Sequence, residues 1–368
     1  MPEVGSFDQA ARVQTLKAEC LLDSKAILGE GPVWRAETND LIWVDIESAK
    51  VFCFSPSLGE NRSWHVGEKV GLAVPTSKGD LILGMTIGLA RLDLQSGNLA
   101  PIIDPENFLT VRAIKMYADG ALGSRGAALL EKYSDYDGKG VFIFLEEETK
   151  PRLSKALKKG IQIGTHAIGD HGNRVVLDWY EEAFTNAKKN KKFSESPRWR
   201  IEHSQNIKPV DQRRFVELGV IPSMQPSHAI GDLHFAVDRL GLERINDAYA
   251  WRNLIDQGLI IAGGTDAPVE IGDPRIEFYA AVARKDVDGY HGEGWNLDQR
   301  LSRLEALKMF TIWPAIASFE EDIKGTIEVG KLADFSVFDQ DLMNIPELKI
   351  LESNNILTVV DGRVVYQN

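Results

Sequence analysis

Two rhythms of apolar and polar positions divide this chain near residue 106. Before it, short alternating runs recur: LIWVDI (41–46), KVFCF (50–54), SWHV (63–66), DLILG (80–84) and GLARLD (88–93). Turn-prone stretches such as ETND, SPSLGEN, SKGD and QSGN separate them. Period-two alternation bounded by Gly, Asn, Asp and Ser predicts an antiparallel meander of about eight strands at most, with hardly a helix. After residue 108 strand-like and helix-like segments alternate. VRAIKMY precedes SRGAALLEKY, GIQIGTHAIGD precedes GNRVVLDWYEEAFTNAKK, and RWRIEHS precedes PVDQRRFVELG. VIPSMQP then precedes a longer helical region, and LIIAGGTDAP precedes PRIEFYAAVARK. Alternating β and α units at this spacing predict a parallel α/β sheet. LSRLEALKMFTIWPAIAS reads as a final helix, and GTIEVGKLADFSVFD with ILTVVDGRVVYQN as a small β appendage. The expected domains are therefore 1–106, 107–320 and 321–368.

Parallel sheets bind ligands at the carboxyl ends of their strands. Lys115, His166, His203 and Asp266 fall there, each at the end of a separate apolar run. Two imidazoles, a lysine and a carboxylate are what a hydrolytic metal centre on such a sheet needs. Each residue taken singly also has a plainer reading. A lone histidine is often a hydrogen-bonded core residue, Asp266 in GTDAP an Asx-turn residue, and Lys115 a snorkelling strand-end lysine. Glu30, between two glycines and before Pro32, reads as a turn residue. Asp119 and Arg125 either pair to frame the ADGALGSR loop or touch a substrate. HAIGDHGN lacks the G-x-x-x-x-G-K pattern of a phosphate cradle, and Gly169 and Asp170 read as a turn and helix cap.

Composition narrows the partners. A net charge of -12 over 368 residues disfavours nucleic acid and anionic membrane surfaces, which leaves a small-molecule substrate. The lysine-rich stretches LSKALKKG and NAKKNKKF, with Glu181, Glu182 and Glu195 nearby, read as solvated helix ends. Cys20 and Cys53 are too few for a disulfide framework, and residues 1–25 lack the apolar stretch of a signal peptide. No apolar run approaches the roughly 20 residues that span a bilayer. The expected setting is cytoplasmic.

IKMYADGALGSR, HAIGDHGN, IEHSQ, MQPSH, GTDAPV and GTIEVGKLADF occur in that order. Over about 109–368 the chain thereby resembles metal-dependent hydrolases of amidohydrolase family 3, the group of N-substituted formamide deformylases. The resemblance implies a TIM-like (β/α) barrel and attack of metal-activated water on an amide-type carbonyl. Lys115 would be the strand-four ligand, carboxylated in many members; His166 the strand-five ligand; and His203 the strand-six ligand. Asp266 would both contact metal and move the proton, and His228 would face the substrate. The cofactor implied is a divalent metal, usually zinc.

The chain departs from that pattern at its start. The first three barrel strands are absent and no His-x-His pair occurs anywhere. Five strand-helix units in about 260 residues leave the barrel incomplete, with one ion favoured over two and edges that self-association into a homo-oligomer could cover. LGEGPVW (28–34), LIWVDI, VGLAVPTSKGDLILG and GLARLDLQSGNLAPIIDPE instead resemble the SMP-30/gluconolactonase/regucalcin family over about 20–106. That family builds six-bladed propellers that hydrolyse sugar lactones with a divalent metal, and Glu30 matches one of its ligands. About two blades are present. The chain thus reads as two truncated hydrolases joined near residues 104–111. Hydrolysis of a non-peptide carbon-nitrogen bond is the expected activity, with lactone hydrolysis or an inactive fusion as alternatives.

Overall fold

Alternation in the amino-terminal part produces two antiparallel sheets. The first contains β1 (Gly29–Arg35), β2 (Asp40–Asp45), β3 (Lys50–Ser55) and β4 (Glu60–His65), paired in that order. The second contains β5 (Val70–Pro75), β6 (Leu81–Met85), β7 (Gly88–Leu92) and β8 (Leu99–Pro101), again in sequence order. Ile42, Val44, Val51 and Cys53 from one sheet meet Leu81, Leu83, Ala90 and Leu92 from the other in a single buried core. Each such aliphatic side chain contributes about 1.5–3 kcal/mol by leaving water. The Asp45 carboxylate accepts the backbone N–H groups of Ile27 and Leu28 at 3.0 Å and the Ser48 hydroxyl, tying the segment before β1 to the β2–β3 turn. Glu30 lies within β1 rather than in a turn, at a register shift that Gly31 permits with φ 60°.

This computed structural model describes residues 22–76, 78–86, 88–101, 112–189, 196–291 and 295–368. The junction read near 104–111, and also Cys20 and Glu195, lie outside them. The chain divides into two compact units, Met1–Val111 and Arg112–Asn368.

The second unit is built on five parallel strands. They are β9 (Ala113–Tyr117), β10 (Gln162–Ala167), β11 (Arg200–His203), β12 (Ile221–Met224) and β13 (Ala262–Gly263). Their order is β13-β12-β11-β10-β9, so each strand pairs with its sequence neighbour and β9 and β13 are edges. Among the described residues the sheet is open, with five strands where a closed barrel has eight. Helices α1 (Glu146–Lys158), α2 (Asp170–Lys189) and α3 (Pro209–Leu218) make the first crossovers, and α4 (Pro226–Asp232), α5 (Ala236–Arg244) and α6 (Trp251–Asp256) lie between β12 and β13. Lys155 and Lys158 of LSKALKK, and Lys188 and Lys189 of NAKK, occupy the last turns of α1 and α2, and Lys159 caps α1.

Two helical expectations are corrected. SRGAALLEKY forms turns and irregular backbone, and the first crossover helix is α1, with Glu146, Glu147 and Glu148 in its first turn. Tertiary contacts override local propensity there. The backbones of Gly120 and Gly126 pack so closely that a Cβ on either would lie 3.2 Å from the other's Cα, and Arg125 takes φ 60°. Asp119 draws the Ala128 N–H to its carboxylate at 2.8 Å. The final helix is two helices, α8 (Arg303–Met309) and α9 (Ile312–Ser318), which follow α7 (Pro274–Ala283). A continuous helix would need an N–H on Pro314 to reach the Phe310 carbonyl, and proline has none. The tail is a three-stranded antiparallel sheet of β14 (Phe335–Phe338), β15 (Asn355–Val360) and β16 (Arg363–Gln367).

Candidate metal centre

The carboxyl ends of the parallel strands bring the predicted side chains together. His166 is the penultimate residue of β10, on the same face as Gly164, and His203 ends β11. His228 sits in the first turn of α4, directly after β12, and Asp266 follows β13. His203 and Asp266 hold left-handed backbone, with φ 73° and 56°. That conformation costs a β-carbon residue about 1–3 kcal/mol and persists where its surroundings enforce it. The enforcing bonds at His203 are those of Ser204, whose N–H donates to Ala167 O at 3.1 Å and whose hydroxyl donates to Ile201 O at 2.9 Å.

The His166 and His203 rings meet edge to face at 4.5 Å, and the His203 and His228 rings stack at 5.5 Å. One ligand atom each from His203, His228 and Asp266 lies within 4.8 Å of the others. Among the described residues this is the one group of three or more imidazole, thiol or carboxylate ligands. The resemblance implied that His228 faces the substrate, and the structure sets it beside His203 and Asp266. His228 Nε2 is 3.8 Å from Asp266 Oδ2 and 3.6 Å from Glu270 Oε1.

Three features suit this cluster to a divalent ion. The Nε2 atoms of His166 and His228 are buried with no hydrogen-bond partner. His203 Nδ1 lies 2.8 Å from Gln225 Oε1, so Nδ1 donates and Nε2 keeps its lone pair. Burial, then the neighbouring imidazole, then Lys115, pull both His166 and His203 down to about 3, and burial lowers His228. The imidazoles are therefore neutral, the form that binds metal. Two or three such nitrogens with one carboxylate and an open position match a catalytic zinc-type donor set.

Lys115 lies within β9 on an exposed position, its Nζ 4.8 Å from the Tyr117 ring. It acts on the cluster as a positive charge. Asp119 and Arg125 do not pair with each other. Asp119 is wholly buried and accepts the N–H groups of Ile168, Gly169 and Ala128 at 2.9, 2.8 and 2.8 Å, while burial pushes its carboxyl up to about 7. Its Oδ1 is 3.6 Å from His166 Nε2. Arg125 pairs with Asp135 at 2.8 Å. Asp170 begins α2 and receives the Leu130 N–H at 2.9 Å. Glu30 is exposed and joins no group of three candidate ligands among the described residues.

Sequence reasoning missed Gln225 and Glu270. Gln225 stood inside the quoted MQPSH motif, directly before the helix that carries His228. Glu270 follows Asp266 by four residues in a loop with no periodicity to mark it.

Residues 92–366 match the model of the Amidohydrolase family, and residues 28–131 that of the SMP-30/Gluconolactonase/LRE-like region. YtcJ of Bacillus subtilis (strain 168) is 34% identical over 258 residues, 69% of this chain and 47% of YtcJ. The N-substituted formamide deformylase of Arthrobacter pascens is 26% identical over 279 residues, 74% of this chain and 49% of that protein. The solved structure of an uncharacterized metal-dependent hydrolase from Pyrococcus horikoshii OT3 superposes with a TM-score of 0.56 at 30% identity, covering 66% of this chain and 47% of that one. The chain spans about half the length of these curated relatives. No helix among the described residues is long and apolar enough to cross a membrane.

Proposed function

The chain belongs to the amidohydrolase family, and from that premise we propose that its second unit hydrolyses a carbon-nitrogen bond in a small non-peptide amide or formamide. The observation that carries this reading is the convergence of His203, His228 and Asp266 beside the unpartnered Nε2 of His166. In this reading His203, His228 and Asp266 hold one divalent ion, with His166 as a fourth donor. Zinc suits imidazole and carboxylate donors. Such an ion supplies a Lewis acid that polarises a carbonyl and lowers the pKa of water towards about 7.

The chain's own residues do the rest. Gln225 orients His203, and burial, with a lesser contribution from the Lys115 charge at His166 and His203, keeps the imidazoles neutral. Asp266, whose side chain is 35% exposed, is open to water on one side. Its carboxylate takes a proton from the attacking water and returns it to the leaving nitrogen. The water oxygen bonds to the acyl carbon, the carbon-nitrogen bond breaks with its electron pair on nitrogen, and the products are an acid and an amine.

Metal content of the purified full chain, by plasma mass spectrometry, tests the reading together with formamide turnover. About one ion per chain, absent in a His203→Ala, His228→Ala double variant and accompanied by turnover lost in Asp266→Asn, is expected. Folded parent protein with neither ion nor turnover would sink it. Lactone hydrolysis at Glu30 has less support, because Glu30 joins no group of three candidate ligands among the described residues.

A further inference from the structure

His203 and His228 stand on different elements, and the 5.5 Å between their rings is set by neither element alone. One side chain joins the two. Tyr249, 1% exposed, donates its hydroxyl hydrogen to Asp232 Oδ2 at 2.9 Å, and the Gln205 side-chain amide donates to the same hydroxyl oxygen. Gln205 lies two residues beyond His203, and Asp232 ends α4 about one helical turn beyond His228. The Tyr249 N–H also donates to Gln205 O at 2.6 Å, so its backbone and its ring grip the same segment.

Tyr249 is itself held in place. Its backbone takes φ 50°, a left-handed value that the surroundings must enforce. Arg284, fully buried, donates to Tyr249 O at 2.7 Å and to Ala248 O at 3.0 Å, with its guanidinium 4.8 and 5.0 Å from the Trp251 and Trp295 ring centres. Burial, then Asp232, push the Tyr249 hydroxyl well above its ordinary range, so it stays a donor. Neither Tyr249 nor Asp232 belongs to the ligand cluster, and the hydrolytic step uses neither. What their bond does is hold the segment that follows His203 against the far end of the helix that carries His228.

We propose that Tyr249 is a positioning residue for the metal centre: its hydroxyl, bridging Gln205 and Asp232, keeps His203 and His228 at the separation a shared ion needs. This rests on the metal-centre reading above, and the test separates it from the hydrolase reading. Zinc affinity of the full chain is measured by competition against a chromophoric chelator, beside formamide turnover and the urea midpoint of the metal-free protein. Tyr249→Phe removes the hydroxyl and keeps the ring, and it should weaken zinc binding about tenfold. Asp232→Ala, at a half-buried helix end where folding is not threatened, should do the same. Asp232→Asn, whose amide oxygen still accepts the hydroxyl, should bind zinc nearly as the parent does. The Tyr249→Phe, Asp232→Ala double variant should lose no more than either single one, because both break one bond. Unchanged affinity in Tyr249→Phe, whatever its urea midpoint, or losses that add in the double variant, overturn the inference and leave the hydrolase reading intact. Zinc held by the parent and weakened as expected, with no formamide turned over, keeps the inference and sinks the hydrolase reading. Folded parent protein that binds no zinc sinks both.

Discussion

His203 Nδ1 and Gln225 Oε1 lie 2.8 Å apart across neighbouring strand ends, and this contact decides which nitrogen of His203 faces the ligand cluster. Gln225→Ala is expected to weaken metal binding about 10–100-fold, the usual cost of removing an orienting partner, while leaving the fold intact. Competition against a chromophoric chelator measures it. Unchanged affinity would mean that packing alone sets the ring.

Lys115 and His203 separate a charge role from a ligand role. Lys115→Met should retain bound metal if the exposed lysine, its Nζ over the Tyr117 ring, acts only as a charge beside His203, His228 and Asp266. His203→Ala should lose it. Metal loss in Lys115→Met would restore the lysine to the ligand set.

Asp119 gathers three backbone N–H groups that no other acceptor reaches. Asp119→Ala should therefore destabilise the second unit by about 3 kcal/mol or more, since each buried unsatisfied donor costs about 1–3 kcal/mol. Gly169→Ala should act on the same spot, because its Cβ would fall 1.9 Å from the Ala128 carbonyl oxygen. Urea midpoints followed by tryptophan fluorescence report both. A midpoint unmoved in either variant would refute this account of the loop.

Asp45 makes stability of the first unit depend on acid. Burial would raise its carboxyl, but the Ser48 hydroxyl and the N–H groups of Leu28 and Ile27 prevail and lower it to about 2, below the usual 3.8. A group depressed in the folded state adds stability that is complete above its unfolded pKa and is lost as pH falls through the folded one. The urea midpoint should drop between pH 4 and 2 in the parent and change less in Asp45→Asn. Parallel pH profiles would show that Asp45 contributes nothing.

Much of this molecule was legible in its residues because the signals are local. Alternation in LIWVDI and KVFCF specifies strands with one buried face, and those strands form as read. Strand-then-helix repetition places His166, His203 and Asp266 at strand ends, since a parallel sheet leaves every crossover at one edge. The count of five strands also follows from counting the repeats. SRGAALLEKY failed because its helical spacing competes with Asp119, whose three N–H partners lie as far away in sequence as Gly169. Only the tertiary structure decided that His228 stands beside His203 and Asp266, that Gln225 fixes a tautomer and that Glu270 faces His228. These are relations between the ends of different strands, set by the register and twist of a sheet to which each segment contributes separately, so no window along the chain contains them.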